Sequence, residues 1–533
     1  MAQTRAEIRL SPAAWVLLGL GALALVLVHA QVTVFGPDAE RFTFDSAEYA
    51  LAGRAWLETG RLVTPYAHPS VLASIPGPPF PLIAGHPLVP ALDALAFALL
   101  GQRPEATLAP AILAYVACVL LVARLALGLS GSRTAAIGAA AGFAVAVWPL
   151  TYALDGRSEM PFAALLTAAF VLLWELPDAS RPLWLGATLG LAQLARPVTL
   201  PLLPALGLGL WFLAPRASRV RCTLLALAGF LPLASLTALY KWATVGSPFV
   251  DVGGYLLLAG TSPEYAVSRL NRMTPPPDAL AWVRAHPGAF ADKIAHDLGV
   301  VLYGAWTAAG RFTGSLAGIS SGVAFVTGDR RLRVFAATLA GTLVLLTLLS
   351  SATVPDRRML FPLLPPGVAL SFAVIARMAR RLDRRGVPAV ALATALAVGI
   401  GAVPLIRQWL AVRSADPASR PLTATEWRGL ERQVAALLPP DSLVASDAAP
   451  WIAGGTHRPA TLVPLEPSDL LSGGARLRPA AVVLTNEWLV WQPLETAWRA
   501  LLEREEAPAG YRFAGHVRSG RMQAVVFTRV ASP

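Results

Sequence analysis

Ala13-Ala14-Trp15-Val16-Leu17-Leu18-Gly19-Leu20-Gly21-Ala22-Leu23-Ala24-Leu25-Val26-Leu27-Val28-His29-Ala30 carries no acidic, lysine or arginine side chain. At about 1.5 Å per residue, a helix over this run covers most of the ~30 Å of hydrocarbon in a bilayer. Leu108 to Leu129, Ala135 to Leu154 and Leu332 to Ser350 are apolar runs of similar length, interrupted only by Arg124 and Arg333. The whole chain agrees with them: of 533 residues 55% are hydrophobic and 14% charged, with mean hydropathy +0.56. A soluble domain carries roughly 25% charged residues. The chain reads as a polytopic membrane protein, and its first run, longer than a signal-peptide core, reads as a retained anchor.

The net charge of +12 does not point to nucleic acid, because the arginines sit in short clusters between apolar segments, as the positive-inside bias requires. Cys118 and Cys222 both lie inside apolar runs, which leaves no disulfide framework and no thiolate metal spacing. No Walker loop, dinucleotide fingerprint or HExxH motif occurs. ATP-driven transport and zincin chemistry therefore lose support.

Placing Arg5 and Arg9, Arg124 and Arg133, Arg181, Arg216 to Arg221, Arg330 to Arg333 and Arg377 to Arg385 on the cytoplasmic side fixes the expected topology. Helices near 11–33, 107–129, 134–152, 159–176, 182–197, 198–214, 222–245, 296–327, 333–352, 359–377 and 388–409 make about 11 transmembrane helices. The proline-rich segment ending in Pro87 to Leu100 is too short to cross and would swap every later cluster, so it is expected at the surface. Residues 34–106, 246–295 and everything after about 410 then face outward. Residues 1–412 form the expected membrane module, with 34–106 its main external loop. Residues 413–533 form a small extracytoplasmic α/β domain, with strands at Ser442 to Ser446, Ala480 to Thr485 and Ala524 to Thr528 and helices at Glu426 to Leu438 and Leu494 to Glu503. Small-xxx-small spacings such as Gly138 to Gly142 and Gly186 to Gly190 read as helix packing only.

Carboxylates at a membrane boundary are costly to desolvate, so those gathered on one face are the first functional candidates. Asp45 opens an amphipathic helix running to Gly60 in the first external loop, where it either caps that helix or serves as a general base towards an acceptor hydroxyl. Glu159 opens the helix after the turn Asp155-Gly156-Arg157-Ser158; it complements the helix dipole or joins the chemistry. Arg357 and Arg358 run against the positive-inside trend. Their guanidinium forks suit a phosphate, with a salt bridge to Asp356 as the alternative. Arg196, His68 and His86 are weaker candidates. In the tail, Asp447, Trp451, His457, Trp488 and Trp491 either stack on sugar rings or belong to a core.

This pattern resembles the GT-C glycosyltransferases over most of the chain, in the branch holding protein O-mannosyltransferases and the aminoarabinose transferase of lipid A. That branch places an acid, a tyrosine four residues on and a glycine after the amphipathic helix, matched by Asp45, Tyr49 and Gly60. The second acid that often directly follows is replaced by Ser46, with Glu48 nearby. Glu159-Met160-Pro161-Phe162 resembles the second acidic motif. Gly85-His86-Pro87-Leu88 to Leu100-Gly101 resembles the proline-containing juxtamembrane segment, with His86 where a basic residue is frequent. Arg357-Arg358-Met359-Leu360-Phe361-Pro362-Leu363-Leu364-Pro365 resembles the arginine-led helix start.

The resemblance implies a donor sugar on a polyprenyl phosphate and a protein, lipid or polysaccharide acceptor. Asp45 would be the base of an inverting transfer, and Glu159 would orient the acceptor or assist a divalent cation. Glu48, Tyr49, His86, Arg196, Arg357 and Arg358 would contact substrate, the arginines meeting the phosphate in place of a general acid. No other cofactor is implied. The main rival class is a transporter or flippase of a lipid-linked glycan, which would favour internal repeats and charges at the bilayer midplane; the acids here collect at one face.

Overall fold

The computed structural model describes residues 10–33, 43–72, 75, 77–83, 86–176, 180–248, 253–261, 278–308, 311–382, 387–414, 422–464, 466–471, 478–486 and 495–530. The first half holds α1 (Pro12–Thr33), α2 (Phe44–Thr59), β1 (Val63–Thr64), β2 (Tyr66–Ala67), α3 (Pro69–Leu72), β3 (Phe80–Pro81) and α4 (Leu88–Leu100). There follow α5 (Ala109–Ser130), α6 (Arg133–Ala144), α7 (Val147–Ala153), α8 (Glu159–Trp174), α9 (Arg181–Ala195), α10 (Leu203–Leu213) and α11 (Arg219–Val245). The second half holds α12 (Gly253–Leu258), α13 (Ala279–Ala285), α14 (Pro287–Ala308), α15 (Arg311–Thr327), α16 (Arg330–Ala352), α17 (Leu364–Leu382) and α18 (Val387–Ser414). The tail holds α19 (Ala424–Leu437), β4 (Val444–Ser446), α20 (Ala449–Thr456), β5 (Ala460–Leu462), β6 (Ala481–Thr485), α21 (Glu495–Arg504), β7 (Tyr511–Ser519) and β8 (Met522–Arg529).

Among the described residues six helices are long and apolar enough to cross a membrane, and seven if the bent pair α6–α7 counts as one span. Four apolar helices are shorter: Leu88–Leu100, Glu159–Trp174, Leu200–Leu213 and Gly314–Thr327. The chain is a multi-pass membrane protein, and large side chains on its spans, such as Leu224, Leu231 and Trp242 on α11, remain exposed.

Three stretches expected to be single helices are broken. The stretch 134–152 bends by 63° between α6 and α7, where Pro149 cannot donate its backbone bond back to Val145. The stretch 198–214 opens with a 3-10 turn at Leu200–Leu202 around Pro201 before α10 begins. The stretch 296–327 is two helices, α14 and α15. At 13 residues, α4 is about 20 Å long, too short to span.

The bundle has two chemically distinct ends. At one, arginines satisfy the carbonyls left open at helix C-termini. Arg331 donates to Trp174 and Leu176 carbonyls, Arg377 to that of Leu129 and Arg380 to that of Ser130. Glu175 pairs with Arg124 and Arg181 at the same end. The 16 residues of α8 separate this end by about 24 Å from the other, where Glu159 starts the helix among carboxylates.

Two elements crossing α2 set its position. Gly53 meets α4 so closely that an added Cβ would lie 2.8 Å from Asp93 Cβ and 2.9 Å from the Pro90 carbonyl oxygen. Gly53→Ala is therefore expected to destabilise the protein by about 1–3 kcal/mol through overpacking. Gly21→Ala, where nothing lies within 4 Å, should be neutral or stabilising by up to ~1 kcal/mol. Thermal melts of the two variants in one detergent check the contrast; equal melting temperatures would refute the close crossing.

The second element is a sheet. Strands pair in the order β2-β5-β4-β6-β8-β7, with β2, β5, β4 and β6 parallel and β8 antiparallel to both β6 and β7. Val444, Val483 and Val526 pack towards Trp427, Leu430 and Trp451, and the alternate residues Ala445, Val482, Leu484 and Val525 pack towards Trp498, the period-2 consequence of a sheet covered on both faces. The edge strand β2 comes from the loop just after α2, so residues 66–67 and 444–529 share one sheet.

Candidate active site

Asp45 does not cap α2. Thr43 is the N-cap: its side chain accepts from the Ser46 backbone N–H at 3.3 Å, and its own N–H donates to Ser46 Oγ at 2.8 Å. This reciprocal box satisfies the helix start and leaves the Asp45 carboxylate, in the first turn, free to face outward with 43% of its side-chain surface open.

What Asp45 meets is Arg358, which donates from Nη1 to Asp45 Oδ2 at 2.9 Å. The same Nη1 lies 3.6 Å from Glu159 Oε1, and Arg358 Nε donates to Asp356 Oδ2. One guanidinium thus joins three carboxylates brought from three separate stretches of chain. Of the two alternatives expected at Arg358, the salt bridge to Asp356 is present, together with contacts to two further acids. Asp356 also fixes the local backbone, accepting from the Arg358 N–H at 2.8 Å as it caps the 3-10 turn Arg357–Leu363. The side chain of Arg357 lies outside the described residues.

Glu159 is 1% exposed. Its Oε1 also lies 2.9 Å from Arg196 Nη1, and its Oε2 has no hydrogen-bond partner among the described residues. Arg196, marked only weakly by the sequence, is therefore central. In the sequence Arg157 and Asp155 read only as turn residues. Yet Arg157 pairs with Asp155 at 3.3 Å and donates to Thr43 Oγ1 at 3.0 Å, tying the turn before α8 to the cap of α2; Gly156, at φ 65°, lets the turn close.

The electrostatics separate these acids. Burial raises the Asp45 carboxyl, but the Arg358, Arg157 and Arg196 charges outweigh it and hold Asp45 below the usual carboxylate range. Asp155 moves well above that range, through burial and then through Glu159. Glu48, one turn beyond Asp45 and 8% exposed, is pushed up to about 8 by burial and by the Asp45 charge.

Beside these acids Tyr49 is buried, with its ring 6.2 Å from that of His86. Tyr66 hydrogen-bonds His68, which burial lowers to about 4. Phe44, directly before Asp45, packs edge-on against Tyr66 at 5.6 Å and Trp451 at 6.1 Å, and Trp451 stacks on Trp427 at 5.4 Å. Trp451 is thus a clamp on the start of α2. Trp451→Ala should lower kcat by about tenfold or more, since sub-ångström misplacement of a reacting group is costly, while KM for the donor shifts less than about threefold. A KM change with kcat intact would place Trp451 on the substrate instead. Asp447 is spent on Thr485, accepting from its N–H at 2.9 Å and its hydroxyl at 2.6 Å. Trp488 and Trp491 lie outside the described residues.

A pocket of about 740 Å³ lies between α2, α4, α9 and α11. Trp56, Arg61, Ala91, Leu236 and Tyr240 line it, together with Leu194, two residues before Arg196, and Pro87, next to His86. It is mostly apolar and ends against α11, whose neighbouring side chains are exposed. Among the described residues no three His, Cys, Asp or Glu side chains gather as a metal ion would need. The acids that do approach one another are held by guanidinium groups, so the donor set does not fit a divalent cation.

No family model matches the sequence, and no curated protein matches it. Solved structures do share its fold. ArnT from Cupriavidus metallidurans, solved bound to undecaprenyl phosphate, superposes with a TM-score of 0.53 at 13% identity, over 98% of this chain and 99% of that one. The Archaeoglobus fulgidus oligosaccharyltransferase, solved with a tethered acceptor peptide containing the NVT sequon, gives a TM-score of 0.56 at 13% identity, over 88% of this chain and 69% of that one. Both are GT-C glycosyltransferases, and the chain has the GT-C fold.

Proposed function

We propose that the protein is a membrane glycosyltransferase that moves a sugar from a polyprenyl-phosphate donor to an acceptor hydroxyl, with Asp45 as general base and inversion at the anomeric carbon. The observation that carries this reading is the single guanidinium of Arg358 shared by Asp45, Glu159 and Asp356. An anionic headgroup would find its complement there, and an aliphatic tail would find one in the mostly apolar pocket between α2, α4, α9 and α11.

In its present pairing Asp45 is ionised but weakly basic. A donor phosphate competes for the same Arg358 fork, because the two non-bridging oxygens of a phosphodiester anion suit a guanidinium bidentately. As Arg358 turns to the phosphate, Asp45 loses its strongest acidifying neighbour and regains basicity. It then takes the proton of the acceptor hydroxyl while the hydroxyl oxygen bonds to the anomeric carbon. The carbon–oxygen bond to phosphate breaks, and the phosphate leaves with its electron pair towards Arg358 and Arg196. Such fixed charge aimed at the leaving group replaces a general acid. Glu159 holds Arg196 and Arg358 in place, and Tyr49 and His86 line the sugar's side.

The carboxylate end belongs outside the cytoplasm and the arginine-capped end inside, following the positive-inside bias. On this reading the N-terminus is in the cytoplasm and residues 413–533 lie outside the plasma (inner) membrane, which requires an odd number of crossings, about 11.

Chain-length dependence tests the donor class. Wild-type kcat/KM should rise with prenyl length until the pocket is filled. Ala91→Trp, which narrows the pocket with a bulky ring, should raise KM for long-chain donors about tenfold or more and weaken that dependence. Turnover indifferent to chain length in both proteins would remove the lipid-linked donor from the reading.

A further inference from the structure

Glu48 is an acid without a counter-charge in a site where the other acids are paired. Helical spacing puts it on the same face of α2 as Asp45, one turn inward. It is 8% exposed, and among the described residues it makes no hydrogen bond and no ion pair. Arg358, Arg157 and Arg196 converge instead on Asp45, Glu159, Asp155 and Asp356.

Among the described residues, the groups facing Glu48 offer no cation. On its own helix these are Asp45 and Tyr49, and on β2 Tyr66, with His68 behind it. Further along α2, α4 brings Asp93 against Gly53, and α20 brings Trp451 against Phe44. A buried carboxyl beside a carboxylate, with no cation in reach, is stable only in its neutral form. Charge balance gives the same answer. Among the described side chains, four carboxyl groups, Asp45, Glu159, Asp155 and Asp356, already meet only three guanidinium groups, Arg157, Arg196 and Arg358. A charge on Glu48 would add to that acid excess before any anionic substrate arrives, and a neutral Glu48 adds nothing to it.

We propose that Glu48 binds substrate as a neutral acid, its carboxyl O–H donating a hydrogen bond to a phosphate oxygen of the donor, and that loss of this proton to solvent expels the phosphate. The inference rests on the lipid-phosphate reading above and adds to it a residue role and an alkaline limit. Burial and Asp45 push Glu48 up to about 8, so the binding-competent fraction falls about tenfold between pH 7 and pH 9.

Two measurements keep this separable from the donor assignment. The first is infrared difference spectroscopy of the full-length protein without substrate, wild type minus Glu48→Gln, titrated from pH 6 to 10. A protonated-carboxyl C=O band that vanishes with a midpoint near 8 is expected, and a Glu48 already ionised at pH 7 overturns the proposal. The second is equilibrium binding of undecaprenyl phosphate in nanodiscs at pH 7 and pH 9. The wild type should lose about tenfold in affinity and Glu48→Gln less than twofold, the ionisation of the phosphate itself being common to both. Equal losses overturn the proposal. No binding by either protein at any pH, with the infrared midpoint near 8, defeats the lipid-phosphate reading and the proposed ligand of Glu48 with it. If Glu48→Gln does not fold, Glu48→Ala serves the same comparison.

Discussion

Arg358→Gln should abolish measurable sugar transfer and lower the melting temperature together. Its guanidinium is within 3.6 Å of Glu159 and bonded to Asp45 and Asp356, so its loss leaves three acids converging on one unneutralised point. Removing one partner of a fully buried pair costs about 3–5 kcal/mol. Asp45 keeps 43% of its side-chain surface open and Asp356 26%, so solvent screens part of the penalty and a loss of about 2–3 kcal/mol is expected. The rate suffers more. The leaving phosphate loses its main fixed charge, worth on the order of 10²–10³ in kcat. Arg358→Lys should recover the stability before the rate, because an ammonium supplies the charge but not the fork that reaches two acids and a phosphate at once. Thermal melts and transfer assays on the two variants decide; normal transfer by Arg358→Gln would remove the residue from the chemistry.

Asp45→Asn should have the opposite profile, a large rate loss with an intact fold. The start of α2 is secured by Thr43 and Ser46, so the substitution takes away no cap, and the amide keeps the shape of the carboxyl. Loss of the base should lower kcat by about 10²–10⁴, with the melting temperature almost unchanged and the donor still bound. A variant that unfolds would show Asp45 to be structural after all.

The two variants differ because of something the sequence shows only partly. Asp is among the strongest helix caps, so a reading along the chain stops at Asp45. The true cap pairs Thr43 with Ser46 rather than with the Glu or Gln of the usual box. The three acid-and-arginine stretches were legible singly, from their position beside apolar runs. Their convergence was legible only through topology, since charge patterning placed them at one face. Arg196 and Arg157 look ordinary in sequence because their partners, Glu159 and Thr43, come from other elements.

In the tail, β4, β6 and β8 lie where apolar runs put them. By contrast β7 alternates weakly and is half exposed at the sheet's edge, and β2 and β5 are two and three residues long, too short for a period to register. The pairing of β2 with β5 is the least legible feature and has the largest consequence, because it ties the tail's sheet to the loop that carries Asp45. Helix breaks at Pro149 and Pro201 were open to reading, and the length of the apolar runs hid them.

The most direct measurement is transfer of radiolabelled sugar from a panel of polyprenyl-phosphate donors by the purified wild-type protein in nanodiscs, with proteoliposome flux of the same donors measured in parallel. The account predicts that at least one donor gives up its label to an acceptor and releases polyprenyl phosphate. If no donor is turned over while a labelled lipid-linked glycan crosses the membrane, the protein is a transporter and the account is wrong.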